Sequence, residues 1–249
     1  MEEVIVIPAR MGSSRFPGKP LAPILSVPML GWVISHAVAA VGKENTVVAS
    51  CDAEILEYAE SLSVRAVSTS SSHERASDRT AEAVATLEGE GWPIQRVLML
   101  QGDEPTISAD ALTSVFSALR GDPEIEIVNL SGPINNATES LDPNSIKVVA
   151  RQDGTALYFS RLPIPHGGDP ELCSHRKQVC AIGFQRPALG AFSAMPEGAL
   201  ERAESIDMLR WLEHGRNVHL VEIGDVTHPV DVLEDIAVVE SLLAGTSAP

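Results

Sequence analysis

The stretch of residues 4–20 constrains the fold more than any other part of the chain. Four apolar residues of strand type stop at Pro8 and give way to a loop with two glycines, two serines and three cations. No carboxylate lies between Arg10 and Lys19. Small residues let backbone N–H groups approach phosphate oxygens, and arginine and lysine neutralise them. A basic surface turn is the alternative interpretation. The position after a first strand favours a phosphate site, because ligands of open α/β sheets bind outside the carboxyl ends of strands.

The loop is not the P-loop of ATPases. That motif has four residues between its glycines and a hydroxyl residue after its lysine. Here five residues separate Gly12 from Gly18, and Pro20 follows the lysine. A metal, if one is used, must therefore be held from elsewhere in the chain.

Strands alternate with helices through the first hundred residues. Ser77 is in position to cap the third predicted helix. The pattern predicts an α/β fold with a mostly parallel sheet and helices on both faces. The length allows one large domain or two small ones, and we expect a single Rossmann-like domain over residues 1–249. The predicted helices are 28–41, 53–62 and 77–87, and the predicted strands are 4–7, 46–50, 64–67 and 96–101.

The pattern changes after Asn144. Two predicted strands flank Asp153-Gly154, which is a hairpin signal, and residues 179–184 could add a third strand. We therefore expect a small antiparallel insertion over residues 145–185, either a lid or dimer surface or an irregular edge. The strands of the hairpin are 145–152 and 155–160, and beyond the insertion we expect a helix over 200–214, a strand over 218–223 and a closing helix over 233–243.

Charge and hydropathy exclude several classes of function. The net charge of −16 argues against general binding of nucleic acid or of anionic membranes, both of which need a basic face. No apolar run approaches the ~18 residues of a membrane span, and no cationic secretory flank follows Met1, so we expect a cytoplasmic protein. The three cysteines lack C-x-x-C spacing and are expected to be reduced thiols.

Carboxylates follow two of the apolar segments. Asp103 and Glu104 come directly after a buried-type strand, and Asp231 precedes the last predicted helix. Acidic residues at strand ends often hold Mg²⁺ against phosphates, because hard cations prefer carboxylate oxygens. A turn is the alternative for Gly-Asp-Glu-Pro, and a helix cap is the alternative for Asp231. The G-x-S-x-G elbow and the G-x-G-x-x-G fingerprint are both absent.

With these residues in view, the sequence resembles the CMP-KDO synthetases, which are 3-deoxy-manno-octulosonate cytidylyltransferases of the nucleotidyltransferase superfamily. The resemblance covers nearly the whole chain, with several motifs in the family's order. The matching segments are 7–10 and 13–21 with the opening signature loop, 101–105 with Q-G-D-E-P, 142–149 with N-P-N-x-V-K-V-V, 156–161 with A-L-Y-F-S-R, 200–210 with L-E-x-x-E-x-x-E-x-L-R, and 230–236 with V-D-T-P-E-D-L.

The resemblance implies a magnesium-dependent transfer from CTP to an acidic acceptor, by default KDO, for lipopolysaccharide synthesis, in a homodimer that binds neither nucleic acid nor membrane. Arg10 and Lys19 would hold the CTP phosphates, and Asp103 and Asp231 would bind Mg²⁺. The implied catalytic residues are Arg10, Lys19 and Asp103. The implied nucleotide-binding residues are Ala9, Arg10, Ser13, Ser14, Arg15, Lys19, Arg75, Ser77, Arg79 and Gln101, and the implied acceptor-binding residues are Gln101, Tyr158, Arg161, Gln178 and Glu204.

The chain departs from the family pattern near the expected acceptor pocket. The family's H-x-S-G-T-[DE]-R is replaced by residues 73–79 with Arg75 and Ala76 in place of Ser-Gly, and K-H-x-G-x-Y is replaced by a segment with Gln178 and Ile182. The acceptor could therefore be a modified octulosonate, another 2-keto sugar acid or a small phosphonate. A nucleotide-binding homologue without turnover is the alternative from another functional class.

Overall fold

The computed structural model describes residues 2–12, 15–167 and 176–246. Its strands are β1 (Glu3–Pro8), β2 (Pro23–Ile24), β3 (Val27–Pro28), β4 (Thr46–Ser50), β5 (Arg65–Ser68), β6 (Arg96–Leu100), β7 (Ile127–Pro133), β8 (Lys147–Ala150), β9 (Ala156–Ser160), β10 (Arg176–Gln185) and β11 (His219–Glu222). Its helices are α1 (Met29–Val41), α2 (Ala53–Ser61), α3 (Ala76–Gly89), α4 (Ala109–Gly121), α5 (Ala137–Leu141), α6 (Arg186–Ala194), α7 (Ala199–Glu204), α8 (Met208–Glu213) and α9 (Asp235–Leu243). A short 3-10 turn, Lys19–Leu21, lies in the opening loop.

Within the described residues, the main sheet has the strand order β11-β7-β10-β6-β1-β4-β5. β1 pairs in parallel with β4 and with β6, β4 pairs in parallel with β5, and β11 pairs in parallel with β7. β10 is antiparallel to both of its neighbours, β6 and β7. The C-terminal ends of β1 and β6 therefore lie side by side, and the first residues of β10 lie near them.

Helices cover both faces of the sheet because the side chains of each strand alternate between two cores. In β1, Val4 and Val6 pack into the core formed with α3, α6 and α8, while Ile5 and Ile7 pack into the core formed with α1, α2 and α4. Strands that are buried on both faces read as continuous apolar runs, which is why the sequence identifies them. The predicted α/β fold with a mostly parallel sheet is confirmed.

The antiparallel segment is built into the main sheet. β8 and β9 form the predicted hairpin, and β8 also pairs with the start of β10 at Arg176 and Lys177. The strand predicted over 179–184 is longer than expected, and most of it lies between β6 and β7. The hairpin is thus an extension of a central strand, and the single-domain description with an insertion over 145–185 stays a prediction.

Three local predictions were wrong. The helix predicted over 200–214 is broken into α7 and α8 at Ser205, which has a left-handed backbone with φ 54°. Ser77 does not cap α3, because Arg75 holds the capping position and the Ser77 hydroxyl donates to Asp207 at 2.8 Å. The last helix begins at Asp235, two residues later than predicted.

The sequence analysis made no prediction for α4, β7, α5 and α6. α4 has an ordinary amphipathic pattern, with Leu112, Val115, Phe116 and Leu119 buried, and the Ser108 hydroxyl caps it by accepting from the backbone N–H of Ala111 at 3.1 Å. None of the helices in the described ranges is long and apolar enough to cross a bilayer.

Candidate active site

A cleft of about 1080 Å³ opens where β1 and β6 end and β10 begins. It gathers residues that are far apart in the sequence. The predicted site residues that line it are Ala9, Arg10, Arg15, Lys19, Arg75, Arg79, Gln101, Asp103, Arg161, Gln178 and Asp231. Ser77, Tyr158 and Glu204 do not line it. Ser13 and Ser14 lie outside the described residues.

The opening loop is anchored at both ends by its backbone. The N–H of Met11 donates to Asp52 at 2.7 Å, and the N–H of Gly18 donates to the carbonyl of Met11 at 3.1 Å. Gly18 adopts a left-handed conformation with φ 76°, which glycine reaches without steric cost. This turn directs the following residue, Lys19, into the cleft.

Lys19 joins two distant segments of the chain. Its Nζ donates to Asp103 Oδ2 and to the carbonyl of Val230, both at 2.7 Å. The backbone N–H of Val230 in turn donates to the carbonyl of Asp103 at 3.0 Å. The lysine therefore lies where the loop after β1, the turn after β6 and the segment before α9 meet.

The second carboxylate of the cleft is Asp231. It accepts a hydrogen bond from Arg15 at 2.7 Å, and its backbone N–H donates to Asp235 at 2.7 Å. Burial raises the pKa of Asp231, and the nearby charge of Asp103 adds to this, while Arg15 and Lys19 oppose it. Two carboxylates thus share one site with two cations.

This donor set suits magnesium. Within the described ranges, no group of three or more His, Cys, Asp and Glu side chains could hold a metal by itself. Mg²⁺ needs no such cage, because it is usually bound through one or two carboxylates together with substrate phosphates. Asp103 and Asp231 would provide the two carboxylates, and in this structure Lys19 and Arg15 neutralise them.

Glu104 differs sharply from Asp103, its neighbour in the sequence. It is 2% exposed; its Oε1 accepts from the backbone N–H of Cys180 at 3.0 Å, and its Oε2 has no hydrogen-bond partner among the residues that the structure describes. Burial raises the pKa of Glu104 to about 7, and the charges of Asp103 and Asp231 contribute, against the N–H of Cys180 and the charge of Lys177. Nothing in the local sequence pattern predicts this difference.

Glu104→Gln should stabilise the protein at alkaline pH. A carboxyl group whose pKa is raised in the folded state binds more protons folded than unfolded, so unfolding becomes easier as the pH rises from the unfolded pKa of 4.5 to about 7. The full difference amounts to on the order of 3 kcal/mol. The free energy of unfolding of the variant, minus that of the wild type, should rise by that amount between pH 4 and pH 8. Urea unfolding in EDTA measures it.

A matched control for this measurement is Glu57→Gln, at an exposed position of α2. It should leave the pH profile of the free energy of unfolding unchanged. If Glu104→Gln gives the same profile as the control, the buried carboxyl group is not the source of the pH dependence.

Two other cations predicted to bind the nucleotide, Arg10 and Arg79, differ in whether protein groups already occupy their donors. Arg10 is exposed and makes no hydrogen bond or ion pair within the part of the chain that the structure describes. Arg79 is 3% exposed and is committed to the Thr69 hydroxyl at 2.6 Å and the His73 carbonyl at 3.3 Å. Arg10 is therefore available to an anionic ligand, while Arg79 braces the loop before α3.

The predicted acceptor residues form a second wall. Arg161 donates to the carbonyls of Pro143, Glu204 and Ser205 at 2.8, 2.6 and 3.2 Å. The Glu204 carboxylate accepts from the backbone N–H of Arg161 at 2.9 Å and from Tyr158 at 3.5 Å. Tyr158 and Glu204 thus support Arg161 from outside the cleft.

The strand β10 lines the other side of this wall. Gln178 donates to the buried Asn129 at 2.6 Å, and Cys180 and Ile182 also line the cleft. Where the family pattern has histidine, glycine and tyrosine, this chain thus presents an amide, a thiol and an aliphatic group. The departures noted in the sequence lie on the surface of the cleft.

Sequence reasoning missed several polar residues that line the cleft. Lys177 is 3% exposed; its Nζ donates to the Thr227 carbonyl at 2.6 Å and pairs with Glu139. Asp207 also lines the cleft, and burial raises its pKa, opposed by the Ser77 hydroxyl and the Arg75 guanidinium. Lys177 lies in the segment compared with K-H-x-G-x-Y, and Asp207 lies in the segment compared with L-E-x-x-E-x-x-E-x-L-R. Their positions in these motifs were the sequence signal that could have identified them.

Comparison with known proteins agrees with this geometry. The model of the cytidylyltransferase family matches residues 4–222. The chain is 38% identical, over 98% of its own length and 99% of the relative's, to the 3-deoxy-manno-octulosonate cytidylyltransferase of Desulfatibacillum aliphaticivorans. It is also 38% identical, with the same coverage, to the 8-amino-3,8-dideoxy-manno-octulosonate cytidylyltransferase of Shewanella sp. strain ANA-3.

Solved structures give the same result. The structure of a CMP:2-keto-3-deoxy-manno-octonic acid synthetase complexed with CTP has a TM-score of 0.88 and 33% identity, and the match covers 98% of this chain and 99% of that one. A cytidylyltransferase from Leptospira borgpetersenii, at 18% identity and a TM-score of 0.62 over 98% and 87% of the two chains, shares the fold. The chain therefore belongs to the cytidylyltransferase family, within the group of the 3-deoxy-manno-octulosonate cytidylyltransferases, and is a nucleotidyltransferase.

Proposed function

We propose that this enzyme couples CTP to an acidic acceptor, KDO first among them, in a Mg²⁺-dependent reaction that releases pyrophosphate. The observation that carries the proposal is the meeting of Arg10 and Lys19 with the carboxylates of Asp103 and Asp231 in one cleft at the strand ends. Cations suited to a triphosphate and carboxylates suited to a divalent cation are thus side by side. The relatives named for KDO and the neighbour complexed with CTP support the choice of substrates.

The chemistry requires positioning more than covalent participation by the protein. The anomeric hydroxyl oxygen of the acceptor forms a bond to the α-phosphorus, the bond from that phosphorus to the bridging oxygen breaks, the hydroxyl proton is lost and pyrophosphate leaves. Arg10 and Lys19 would bind and orient the phosphates, which lowers the cost of bringing two anions together. Mg²⁺ held by Asp103 and Asp231 would supply further neutralisation of the phosphate charge.

A second acceptor is favoured by a specific observation. Gln178, Cys180 and Ile182 line the cleft in place of the family's histidine, glycine and tyrosine, so the surface offered to the sugar is altered. A relative of equal identity is named for the 8-amino sugar acid. The same reaction on an octulosonate modified at its far end is therefore the alternative.

A panel of acceptors tests the proposal. With CTP and Mg²⁺, pyrophosphate release should be strong with KDO or 8-amino-KDO and weak with sialic acid and small phosphonates. Turnover of KDO would show that the altered residues are tolerated, whereas turnover of 8-amino-KDO alone would show that they redirect the enzyme. If neither octulosonate gives pyrophosphate above a reaction without acceptor, the proposed function is wrong.

A homodimer that uses the 145–185 segment remains a proposal. Large apolar side chains are exposed on or beside that segment: Leu141 is 71%, Leu157 50% and Leu162 71% exposed. Exposed apolar groups of this size often mark protein–protein contacts. The extension formed by β8 and β9 carries Leu157, which is consistent with a shared surface.

A further inference from the structure

Arg75 is the cation that the family pattern does not predict, and the structure gives it an unusual environment. It lies at the capping position of α3 and lines the cleft, 22% exposed. Across from it are the segment before α7 and the break between α7 and α8. The sequence analysis, by resemblance, placed this residue among the groups that bind the nucleotide.

Three carboxylates surround the guanidinium of Arg75. Its Nε is 3.4 Å from Glu197 and 4.0 Å from Glu201, and its Nη1 is 3.4 Å from Asp207. Because these carboxylates already neutralise the guanidinium, it keeps little charge to attract a triphosphate, and what it still offers a ligand is a directed donor for a neutral oxygen such as a sugar hydroxyl. Arg10, which has no carboxylate partner in the described part of the chain, is in the opposite situation.

Ser205 connects Arg75 to the acceptor wall. Nη1 of Arg75 donates to the Ser205 hydroxyl at 3.1 Å, and Nη2 of Arg161 donates to the Ser205 carbonyl at 3.2 Å. The two arginines therefore hold the same residue from two sides, at the break between α7 and α8. Arg75 thus belongs structurally with the residues predicted to bind the acceptor.

The break itself is rigidly held. Ser205 has a left-handed backbone, which a residue other than glycine adopts only where the surroundings impose it. Glu201 and Arg210 form a buried pair with two hydrogen bonds of 2.7 Å, which fixes α7 against α8. Asp207, two residues after the break, is consequently presented to the cleft together with Arg75.

One nitrogen of the Arg75 guanidinium is available to donate to a ligand. Within the residues that the structure describes, Nη2 of Arg75 has no hydrogen-bond partner, while its Nε and Nη1 are engaged. We propose that Arg75, held by Asp207 and Ser205, binds an oxygen of the acceptor acid through this free edge, so that it determines acceptor specificity and does not bind CTP. The inference rests on the proposed function, because it presumes an oxygen-rich acid in the cleft.

Steady-state kinetics of Arg75→Ala separates the two roles. Loss of a charged hydrogen bond should raise the KM of the preferred octulosonate by roughly 10- to 100-fold. The KM of CTP should change less than about twofold. Arg75→Lys, which keeps the charge without the planar fork, should recover only part of the acceptor KM. Arg202→Ala is the matched control. Nη1 of Arg202 donates to the backbone carbonyl of Glu197 at 2.7 Å, but Arg202 does not line the cleft.

Any other result contradicts the assignment of Arg75 to the acceptor, and the results differ in what they imply. A raised KM for CTP with an unchanged acceptor KM would make Arg75 a nucleotide ligand. A lowered melting temperature with both KM values unchanged would make it purely structural. Wild-type turnover reports on the proposed function separately: if the wild type turns over no octulosonate, the proposed function and this inference both fall, whereas wild-type turnover with unaltered variants overturns only the role of Arg75.

Discussion

Asp103→Asn should lower kcat/KM for pyrophosphate release by roughly three orders of magnitude, because it removes the carboxylate that would hold Mg²⁺ beside the phosphates. It also removes the acceptor of the 2.7 Å hydrogen bond from Lys19. The fold should survive, since Asp103 is partly exposed and its backbone carbonyl still accepts from the N–H of Val230. The measurement is the initial rate of pyrophosphate release over a range of CTP concentrations at saturating acceptor, which gives kcat/KM for CTP, beside thermal unfolding.

Asp225→Asn provides the comparison for this variant. Asp225 is an exposed aspartate whose carboxylate accepts from the Ser108 hydroxyl at 2.6 Å, and it does not line the cleft. Its variant should retain nearly full activity. Isothermal titration gives a second readout: Mg²⁺ should strengthen CTP binding to the wild type and to Asp225→Asn, and do so far less for Asp103→Asn. Activity of Asp103→Asn near the wild-type level would remove Asp103 from the metal site.

The sequence predicted best what is decided by local pattern. Buried parallel strands read as apolar runs, so β1, β4 and β6 were found nearly to the residue, and their ends gave the position of the cleft. The place of β10 between β6 and β7 could not be predicted in the same way, because it depends on pairing with strands that lie tens of residues earlier in the chain. Pairing between distant segments leaves no periodic signal.

The environment of individual side chains was also difficult to predict from the sequence. The residue pattern did not distinguish Asp103 from Glu104, and only the family resemblance assigned the metal to Asp103. In the structure the first faces the cations and the second is buried against β10. The two residues lie in the turn that follows β6, where the N–H of Glu104 donates to the carbonyl of Gln101 at 3.3 Å, so the geometry of the turn decides which side chain points inward, and no strand periodicity predicts it. The break at Ser205 could not be predicted for a related reason. Tertiary contacts hold the residue in its left-handed conformation, and the composition of residues 200–214 is compatible with a continuous helix.

Lys19→Ala should raise the KM of CTP by roughly 10- to 100-fold and also lower kcat, because a charged donor to the phosphates is lost in both the ground state and the transition state. Steady-state kinetics with varied CTP measures both constants. Lys43→Ala is a close structural match, since Lys43 begins another 3-10 turn, Lys43–Asn45, and its Nζ donates to the Leu62 carbonyl at 3.0 Å, but it is remote from the cleft. Unchanged kinetics in Lys19→Ala would show that the opening loop is only a turn.

The same variant tests whether lysine and a divalent cation share the task of neutralising the cleft. Without Lys19, Asp103 loses the cation with which it pairs, and Arg15, which pairs with Asp231, offsets less of the repulsion between the two carboxylates. Magnesium should therefore raise the melting temperature of Lys19→Ala more than that of the wild type or of Lys43→Ala, in the absence of CTP. Equal shifts in all three proteins would mean that Mg²⁺ does not bind between these carboxylates, whatever the kinetics show. A larger shift in Lys19→Ala alone would indicate that the loop cation and the metal oppose the same negative charge.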